Sequence, residues 1–600
     1  MRSVVPFLKS GCIVLALFAD IAPTDFTQVW NSSLLNGVAI LRPCSFLIIF
    51  HLLTSIGEVD RKSHSTNCKL SIVFSIAIYL GLQVQSGVWV LFLRSPLDLV
   101  KSLVILFGYY SLFVPLLDLL TDRLLDKRVA LLRAVHFNAV ISAAIMLLAW
   151  LPIIISISPG YINSDMTDQI YQVYGLNPLS SHHPVISSLI SAGVFGIGQS
   201  LFGTFGGIRF FLAVQAVVMA VTFSWGLSWL ARMGAPKSTV ILSLLFWAFV
   251  PLFPLWSQVF VKDVLAAIAF TVFIVQVVVR MVHIGRKQDI PRCSRWSSLC
   301  IGALVAAMLR NNTILAVIPT LLALTVLERR RVPLVLIGGT ISLYACFTLV
   351  LLPALGVLRP SSAEALAIPI QQVARTMVEH KDDISKEEEG VLRAVFGDDR
   401  YDNVVNYYLP NTSDPMKKGG LFTGENPEGD LGSFIRVWLQ LGVRHPGTYL
   451  QQLIICGVGY WYPGAYGGDE IPLSPVPRID SEFFDITEEE IDATATPARA
   501  FIGSMESFLG ALPVVGAVFD KAFYTWGFAF LFSIIWNKAR YLSIVFMPFL
   551  ITFFACCASP VNSLMRYVLP FVFSFPFMFG IAKLPLVSIH SKEDVNGNHI

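Results

Sequence analysis

The chain has few charged residues for its length. Asp, Glu, Lys and Arg make up 14% of its 600 residues, whereas soluble domains carry about 25%. Hydrophobic residues make up 55%, and the mean hydropathy is +0.67. Many apolar runs reach the roughly 20 residues that cross a bilayer as a helix, and a helix satisfies its own backbone polar groups within lipid. This composition excludes an ordinary soluble domain and predicts an all-α polytopic membrane protein.

Neither the cysteines nor the net charge indicates a metal site or a nucleic-acid partner. The nine cysteines lie mostly within apolar runs, and none has the spacing of metal ligands. We interpret them as small buried hydrophobic side chains. The net charge is only +3, and the basic residues cluster in short loops, which is typical of a topology signal. No nucleic-acid partner is predicted.

About fourteen membrane helices are predicted, with both termini in the cytoplasm. The plainest apolar runs lie near residues 4–21, 37–57, 70–92, 97–120, 134–157, 208–231, 238–257, 263–283, 333–355, 522–537, 541–558 and 565–583. Short loops rich in Lys and Arg stay in the cytoplasm. Such loops surround Arg61, Arg123, Arg232, Arg286, Arg329 and Lys538. Placing them all inside puts the loop of residues 158–207 outside.

One apolar stretch, Trp296 to Leu327, is interrupted at its middle by Arg310, Asn311 and Asn312. Basic loops flank both of its ends, so we predict a hairpin of two short helices. Each arm of about fourteen residues rises about 20 Å, less than the hydrocarbon thickness of about 30 Å. Arg310 would then lie inside a protein cavity, where an arginine is usually functional. The alternative is a structural pair with a buried carboxylate.

The sequence divides into five regions. Residues 1–133 form an N-terminal transmembrane extension and 134–355 a transmembrane core with the outer loop 158–207. Residues 356–521 form a mainly helical extracytoplasmic domain with apolar segments at Pro446–Tyr462 and Phe501–Val518. We expect Pro446–Tyr462 to lie at the outer membrane surface or to dip into it. Residues 522–583 are the C-terminal transmembrane helices, and 584–600 are a cytoplasmic tail.

Two carboxylates, Asp165 and Asp168, follow a membrane helix within about ten residues. A carboxylate at this position can act as a general base on an acceptor hydroxyl. The alternative is that one of them caps a helix, since Asp is a preferred N-cap residue. His182 and His183 then precede an apolar stretch, Val185–Phe202, that we expect along the outer surface. These histidines bind metal or donate to phosphate, or are simply surface residues.

Four cationic positions are predicted near the same outer face. A lipid-linked phosphate needs such groups, because negative charge builds on the leaving phosphate and arginine suits phosphate oxygens. Taken singly, each is also explained as an interfacial anchor. The positions are Lys262, Arg310 with Asn311, Arg444 with His445, and Arg566 with Tyr567.

Several motifs together carry a resemblance to a known superfamily. PGYINSDMTDQ, HHPVISSL and FGGIRFF resemble the start of GT-C glycosyltransferases. The ordered set PGYINSD, HHPV, VKDV, LRNN, IPIQQVAR, RHPGTYL, GYWYP and MRYVLP looks like an uncharacterised bacterial membrane family of that type, over about 134 to 583. The resemblance implies a plasma-membrane enzyme that takes a sugar from a polyprenyl-phosphate carrier and transfers it to a cell-envelope glycan at the extracytoplasmic face.

The resemblance also implies roles for individual residues. Asp165 matches the catalytic acidic position, and Asp168 is the neighbouring candidate. Met166 follows Asp165, unlike the Asp-Glu pair of protein mannosyltransferases, which leaves a divalent metal requirement open. Arg310 and Arg566 would hold the lipid phosphate. The remaining expected contacts come from Arg444 or His445, which would support the site, and from Gln371 and Gln372, which would contact sugar or have a capping or surface role.

Three other functions remain open at the level of sequence. A glycan polymerase or ligase would need room for two lipid-linked substrates. A transporter or flippase of lipid-linked sugar would place polar residues near the bilayer midplane and often shows internal repeats, and the sequence shows no such repeat. A non-catalytic scaffold would leave the ordered cationic groups without a role.

Overall fold

The structure, a computed structural model, describes residues 4–17, 61–87, 96–125, 137–329, 332–360, 362–417, 430–464, 489–490, 493–494, 496–512 and 515–585. Within these ranges, nine helices are long and apolar enough to cross a membrane, and three shorter helices are also apolar. These helices are consistent with the predicted multi-pass membrane protein. The predicted segment 37–57, most of the acidic stretch 464–500 and most of the tail lie outside the described residues.

The described chain is almost entirely helical. Its helices are α1 Val4–Leu17, α2 Arg61–Ser86, α3 Pro96–Leu125, α4 Ala139–Ser156, α5 Ser164–Val173, α6 Val185–Arg232, α7 Lys237–Phe249, α8 Leu252–Ser257, α9 Lys262–Gly285, α10 Trp296–Leu309, α11 Ile314–Glu328, α12 Val332–Ala345, α13 Leu352–Ala354, α14 Ala367–Glu379, α15 Lys386–Phe396, α16 Asp398–Asp402, α17 Val404–Tyr407, α18 Asp414–Lys417, α19 Leu431–Arg444, α20 Pro446–Trp461, α21 Pro497–Ala511, α22 Lys521–Lys538, α23 Met547–Cys557 and α24 Met565–Ala582. The strands of this part are β1 Tyr161–Ile162 and β2 Val259–Phe260.

Helices α9 and α24 form the centre of the bundle. The apolar windows of both are 83% buried, against 11% for the window that includes α12. A helix that is apolar all round needs partners on every side. Around them, Phe223 stacks on Trp247 with ring centroids 4.7 Å apart and meets Phe573 of α24 edge-on. The core is therefore built largely from aromatic and branched side chains of α6, α7, α9 and α24.

Basic residues of several loops meet at one end of the bundle. Lys538 Nζ donates to the Ala582 carbonyl at 3.0 Å, and Lys62 Nζ donates to the Asn537 carbonyl at 3.2 Å. Arg286 reaches the Pro585 carbonyl at 3.4 Å. We call this end the basic end. The C-terminal ends of α22 and α24 meet the start of α2 and the loop after α9 there. The arrangement agrees with the predicted grouping of these loops on one side.

The interrupted apolar stretch forms the predicted hairpin. Helix α10 has 14 residues and α11 has 15, and a short turn at Asn311–Thr313 separates them. The far end of α11 returns to the basic end, where Arg280 donates to both carboxylate oxygens of Glu328, at 2.5 and 2.7 Å. Arg310 stands at the apex, on the opposite side of the bundle.

Helix α6 is one element of 48 residues with a break at Gly203, whose φ of 71° lies outside the helical region. The predicted surface stretch and the predicted span near 208–231 are therefore the two halves of this element. Glycine suits the break because positive φ carries no steric cost without a Cβ.

A polar helical domain follows α13 and has its own small core. Helices α14, α15 and α19 bury Ile370, Leu392 and Phe434, each fully buried. Helix α15 begins with a capping box between Ser385 and Glu388. Helix α20 follows this domain and packs against α14 of the domain and against α2, α22 and α23 of the bundle.

Candidate functional site

A short parallel pairing brings two helix starts together. Strands β1 and β2 pair with Tyr161 opposite Val259 and Ile162 opposite Phe260. Gly160 precedes β1 with φ of 103°, and a Cβ there would collide with Leu212. Each strand leads directly into a helix, β1 into α5 and β2 into α9. The first turns of α5 and α9 therefore lie side by side at the end of the bundle opposite the basic end.

Asp165 lies in the first turn of α5, and its side chain turns away from the helix. The N-cap is Asn163, whose Oδ1 accepts from the Asp165 amide at 2.9 Å. The capping role considered for Asp165 is thus taken by Asn163. The Asp165 Oδ2 instead accepts from Lys262 Nζ at 2.8 Å and from Arg566 Nη1 at 2.9 Å. One carboxylate oxygen therefore joins the starts of α5, α9 and α24.

The three charged side chains are largely enclosed. Lys262 is 12% exposed, Arg566 11% and Asp165 28%. Burial by itself raises the pKa of a carboxyl group, but the Lys262 and Arg566 cations outweigh it and hold the pKa of Asp165 well below its usual range. Asp165 is therefore ionised at neutral pH.

A second ion pair lies beside the first. Asp263, 2% exposed, faces Arg310 with Oδ1 3.2 Å from Nη1. The Arg310 guanidinium stands 4.8 Å from the Tyr567 ring centroid, and that of Arg566 stands 5.3 Å from the same centroid. Arg310 thus has the buried carboxylate partner that the sequence left as an alternative. It also shares the Tyr567 ring with Arg566, which places both arginines in one cluster.

His183 borders this cluster in its neutral form. Burial and then the Lys262 cation lower the pKa of His183 to about 3. Its Nε2 lies 3.8 Å from Asp168 Oδ2. His182 is exposed, with its ring 4.6 Å from that of His183. Asn311 at the hairpin apex donates to the Ser181 carbonyl at 3.3 Å, which ties the apex to this loop.

Asp168 has a different set of partners from Asp165. It accepts from Gln172 Nε2 at 2.7 Å and from Asn177 Nδ2 at 3.0 Å. Its side chain is 43% exposed. These contacts hold the loop after α5 against its helix, so Asp168 acts here as a structural acceptor beside the Asp165 cluster.

Four predicted residues belong to the polar domain instead. Gln371 donates to the Leu409 carbonyl at 2.7 Å, and Gln372 donates to the Tyr449 carbonyl at 3.1 Å. Both amides are buried. Both side chains therefore have backbone partners within the polar domain, and the expectation that they contact sugar stays a prediction. Their amides satisfy backbone carbonyls that burial would otherwise leave unpaired.

Arg444 and His445 are likewise turned into the polar domain. Arg444 pairs with Glu388 and donates to the Asp383 carbonyl at 2.6 Å. The His445 ring stacks on that of His380 with centroids 4.1 Å apart. Both residues contact the polar domain, Arg444 at its surface with a side chain that is 39% exposed, and neither lies in the cluster around Asp165.

Two members of the cluster, Asn163 and Asp263, were not predicted as site residues. Asn163 carried a signal, since Asn directly before a helix start is a preferred cap. Asp263 follows Lys262 directly, but nothing in the sequence shows that it is buried beneath Arg310.

Comparison with protein families matches residues 174–582 to a family of unknown function (DUF6020). The chain belongs to this family. The matched region begins after Asp165 and includes Lys262, Arg310 and Arg566. Neither curated proteins nor solved structures give a significant match to the chain.

The charges of the cluster suit an anionic ligand. Lys262, Arg310 and Arg566 contribute three positive charges, and Asp165 and Asp263 contribute two negative ones, which leaves one net positive charge. His183 adds none because it is neutral, and the more exposed Asp168 lies at the edge of the cluster, where its partners are Gln172 and Asn177. Arginine and lysine in a partly dry setting are strong donors to phosphate or carboxylate oxygens.

Proposed function

We propose that the protein is a GT-C type glycosyltransferase that moves a sugar from a polyprenyl-phosphate carrier to a hydroxyl of a cell-envelope glycan. The observation that supports this is the Asp165 carboxylate held between Lys262 and Arg566 at one end of an apolar helical bundle. The positive-inside rule assigns the basic end to the cytoplasm. The Asp165 end then faces the extracytoplasmic side, where a lipid-linked donor and a glycan meet.

The proposed reaction changes the charge that the cluster must stabilise. The bond between the sugar's anomeric carbon and a phosphate oxygen breaks, a bond from the acceptor oxygen to that carbon forms, and the acceptor proton goes to Asp165. The donor is a phosphodiester with one negative charge, and the departing lipid phosphate is a monoester with up to two. Lys262, Arg310 and Arg566 would stabilise that added charge as it develops.

The resting contacts of Asp165 give the mechanism a specific order. A carboxylate between two cations is a weak base, and those cations are also the donors that a phosphate would use. Binding of the donor phosphate would draw Lys262 and Arg566 toward its oxygens. The pKa of Asp165 would then rise toward its ordinary range, so that Asp165 becomes a better base only when the donor is present.

A transporter of lipid-linked sugar is less well supported. Transporters hold their substrate near the bilayer midplane between repeated halves. The charged cluster here lies at helix starts, at the end of the bundle. A scaffold role would leave the enclosed cations without a ligand.

The proposal is tested by the glycan composition of the envelope in a deletion strain. The strain is complemented with wild type, Asp165→Asn or Asp168→Asn at matched expression. Asp168→Asn is the control, because it makes the same chemical change three residues away. We expect the deletion and Asp165→Asn to lack the same sugar and Asp168→Asn to retain it. Full restoration by Asp165→Asn would overturn Asp165 as the base.

A further inference from the structure

A second cluster of reactive side chains lies near the basic end, between α2 and α3. The His64 Nδ1 is 2.7 Å from Asp118 Oδ2, and the Cys68 sulfur is 3.6 Å from His64 Nε2. A thiol, an imidazole and a carboxylate therefore stand in line. This order is the one in which a base activates a nucleophile and a third group orients the base.

The carboxylate is fixed by its neighbours. Asn67 Nδ2 donates to Asp118 Oδ1 at 2.8 Å and also reaches Thr121 Oγ1 at 3.1 Å. Asp118 is 7% exposed, whereas His64 is 50% exposed. A carboxylate at Nδ1 favours the tautomer with the proton on that nitrogen. The His64 Nε2 is then left as an acceptor that faces the thiol.

The sulfur also lies on an exposed apolar face of α2. Residues four apart on a helix lie above one another, so Cys68 shares a face with Ile72 and Ile76. These two side chains are 49% and 46% exposed. Cys68 itself is partly exposed. A chain attached to the sulfur would find an apolar track along the helix, in the direction of the bilayer.

We propose that Cys68 is an activated thiol that takes up an acyl group from a long-chain acyl thioester. His64 accepts the thiol proton, the sulfur attacks the thioester carbonyl, and a new sulfur–acyl bond replaces the old one. The donor thiol leaves with the proton that His64 returns. No oxidant or metal is needed. This inference does not depend on the glycosyltransferase proposal, because the cluster lies at the opposite end of the bundle.

The location fits such a donor. The positive-inside rule places the basic end in the cytoplasm, where thiols remain reduced. Arg61 and Lys62 stand one to two turns before Cys68 on the same helix. They would attract an anionic donor to the membrane surface.

The test uses the full-length protein in detergent micelles with palmitoyl-CoA. Intact mass is recorded with time, before and after hydroxylamine, which cleaves thioesters. We expect one added acyl group on wild type, released by hydroxylamine, and none on Cys68→Ser. The matched control is Cys293→Ser, since Cys293 lies in a loop after α9, near the same end, where its sulfur contacts a serine hydroxyl. This variant should be acylated like wild type.

The role of His64 is tested by rate. His64→Gln should slow acylation at neutral pH by about 100-fold or more, the usual range for loss of a general base, with its thermal denaturation unchanged because His64 is half exposed. If that variant does not fold, the rate of iodoacetamide alkylation of wild type at pH 7 decides. Cys68 should then react faster than Cys293. An unacylated wild type, acylation at Cys293, or equal rates in these comparisons would overturn the proposal.

Discussion

Replacing Asp165 by Asn should destabilise the protein as well as abolish transfer. At an effective dielectric constant of about 20, a pair 2.8 Å apart attracts by about 6 kcal/mol, most of which the cost of burial offsets. Removing one partner of a buried pair costs about 3–5 kcal/mol. Because Asp165 is 28% exposed, we expect a loss at or just below the lower end of that range, about 2–3 kcal/mol.

The cause of this loss would be that the enclosed Lys262 and Arg566 cations lose the carboxylate that they share. A double variant, Asp165→Asn with Lys262→Met, should therefore be more stable than Asp165→Asn alone, because it removes one of those charges. Inorganic phosphate should also stabilise Asp165→Asn more than wild type, because in the variant no carboxylate competes with phosphate for the two cations. A ligand at 100 times its Kd adds about 2.7 kcal/mol.

The assay is thermal denaturation of the purified protein in detergent with and without phosphate. Sodium chloride at equal ionic strength controls for screening, and Asp168→Asn controls for loss of a carboxylate in the same helix. Denaturation of Asp165→Asn at the wild-type temperature would contradict the expected loss of stability. Equal phosphate-induced rises in the denaturation temperature of wild type, Asp165→Asn and Asp168→Asn would also contradict the reasoning, because phosphate would then bind outside the cluster.

Three further predictions concern residues outside that pair. Arg280→Met strips Glu328 of its partner and should cost about 3–5 kcal/mol, seen as a lower denaturation midpoint with unchanged phosphate binding. Arg444→Met should expose the polar domain near Glu388 to proteolysis without changing phosphate affinity; weakened affinity would return Arg444 to the site. For His183 the pKa is about 3 in the folded protein and 6.5 unfolded, so wild type should lose stability as pH falls below 6.5, by about 2 kcal/mol at pH 5. His183→Gln should lack that loss of stability at low pH. Identical pH profiles of stability for wild type and His183→Gln would contradict the prediction.

The transmembrane character and the hairpin were predictable because both depend on local pattern. Basic loops flank two apolar arms, and the polar break at Arg310 marks the turn between them. The break in α6 at Gly203 also follows from a local signal, a glycine-rich junction between apolar runs. The count of about fourteen helices stays a prediction, since the described residues contain nine helices of spanning length.

The site was only partly predictable, because its geometry depends on contacts distant in sequence. The pairing of β1 with β2 joins residues almost a hundred positions apart through two residues on each strand, too short for any pattern to reveal. Conversely, Arg444 and Arg566 look alike in sequence, each at the start of an apolar segment. Only the fold shows that Arg444 turns to Glu388 while Arg566 turns to Asp165.

The charge balance of the cluster explains why one carboxylate would serve two purposes. Lys262 and Arg566 are largely enclosed, so the proposed phosphate clamp would use a resident anion when the phosphate is absent. Asp165 supplies that anion and, in the proposed reaction, also accepts the proton. Loss of transfer in Asp165→Asn therefore cannot by itself separate the two roles, because collapse of the clamp has the same effect. Phosphate can separate them: it restores the stability of the variant by replacing the missing charge, yet it restores no proton acceptor.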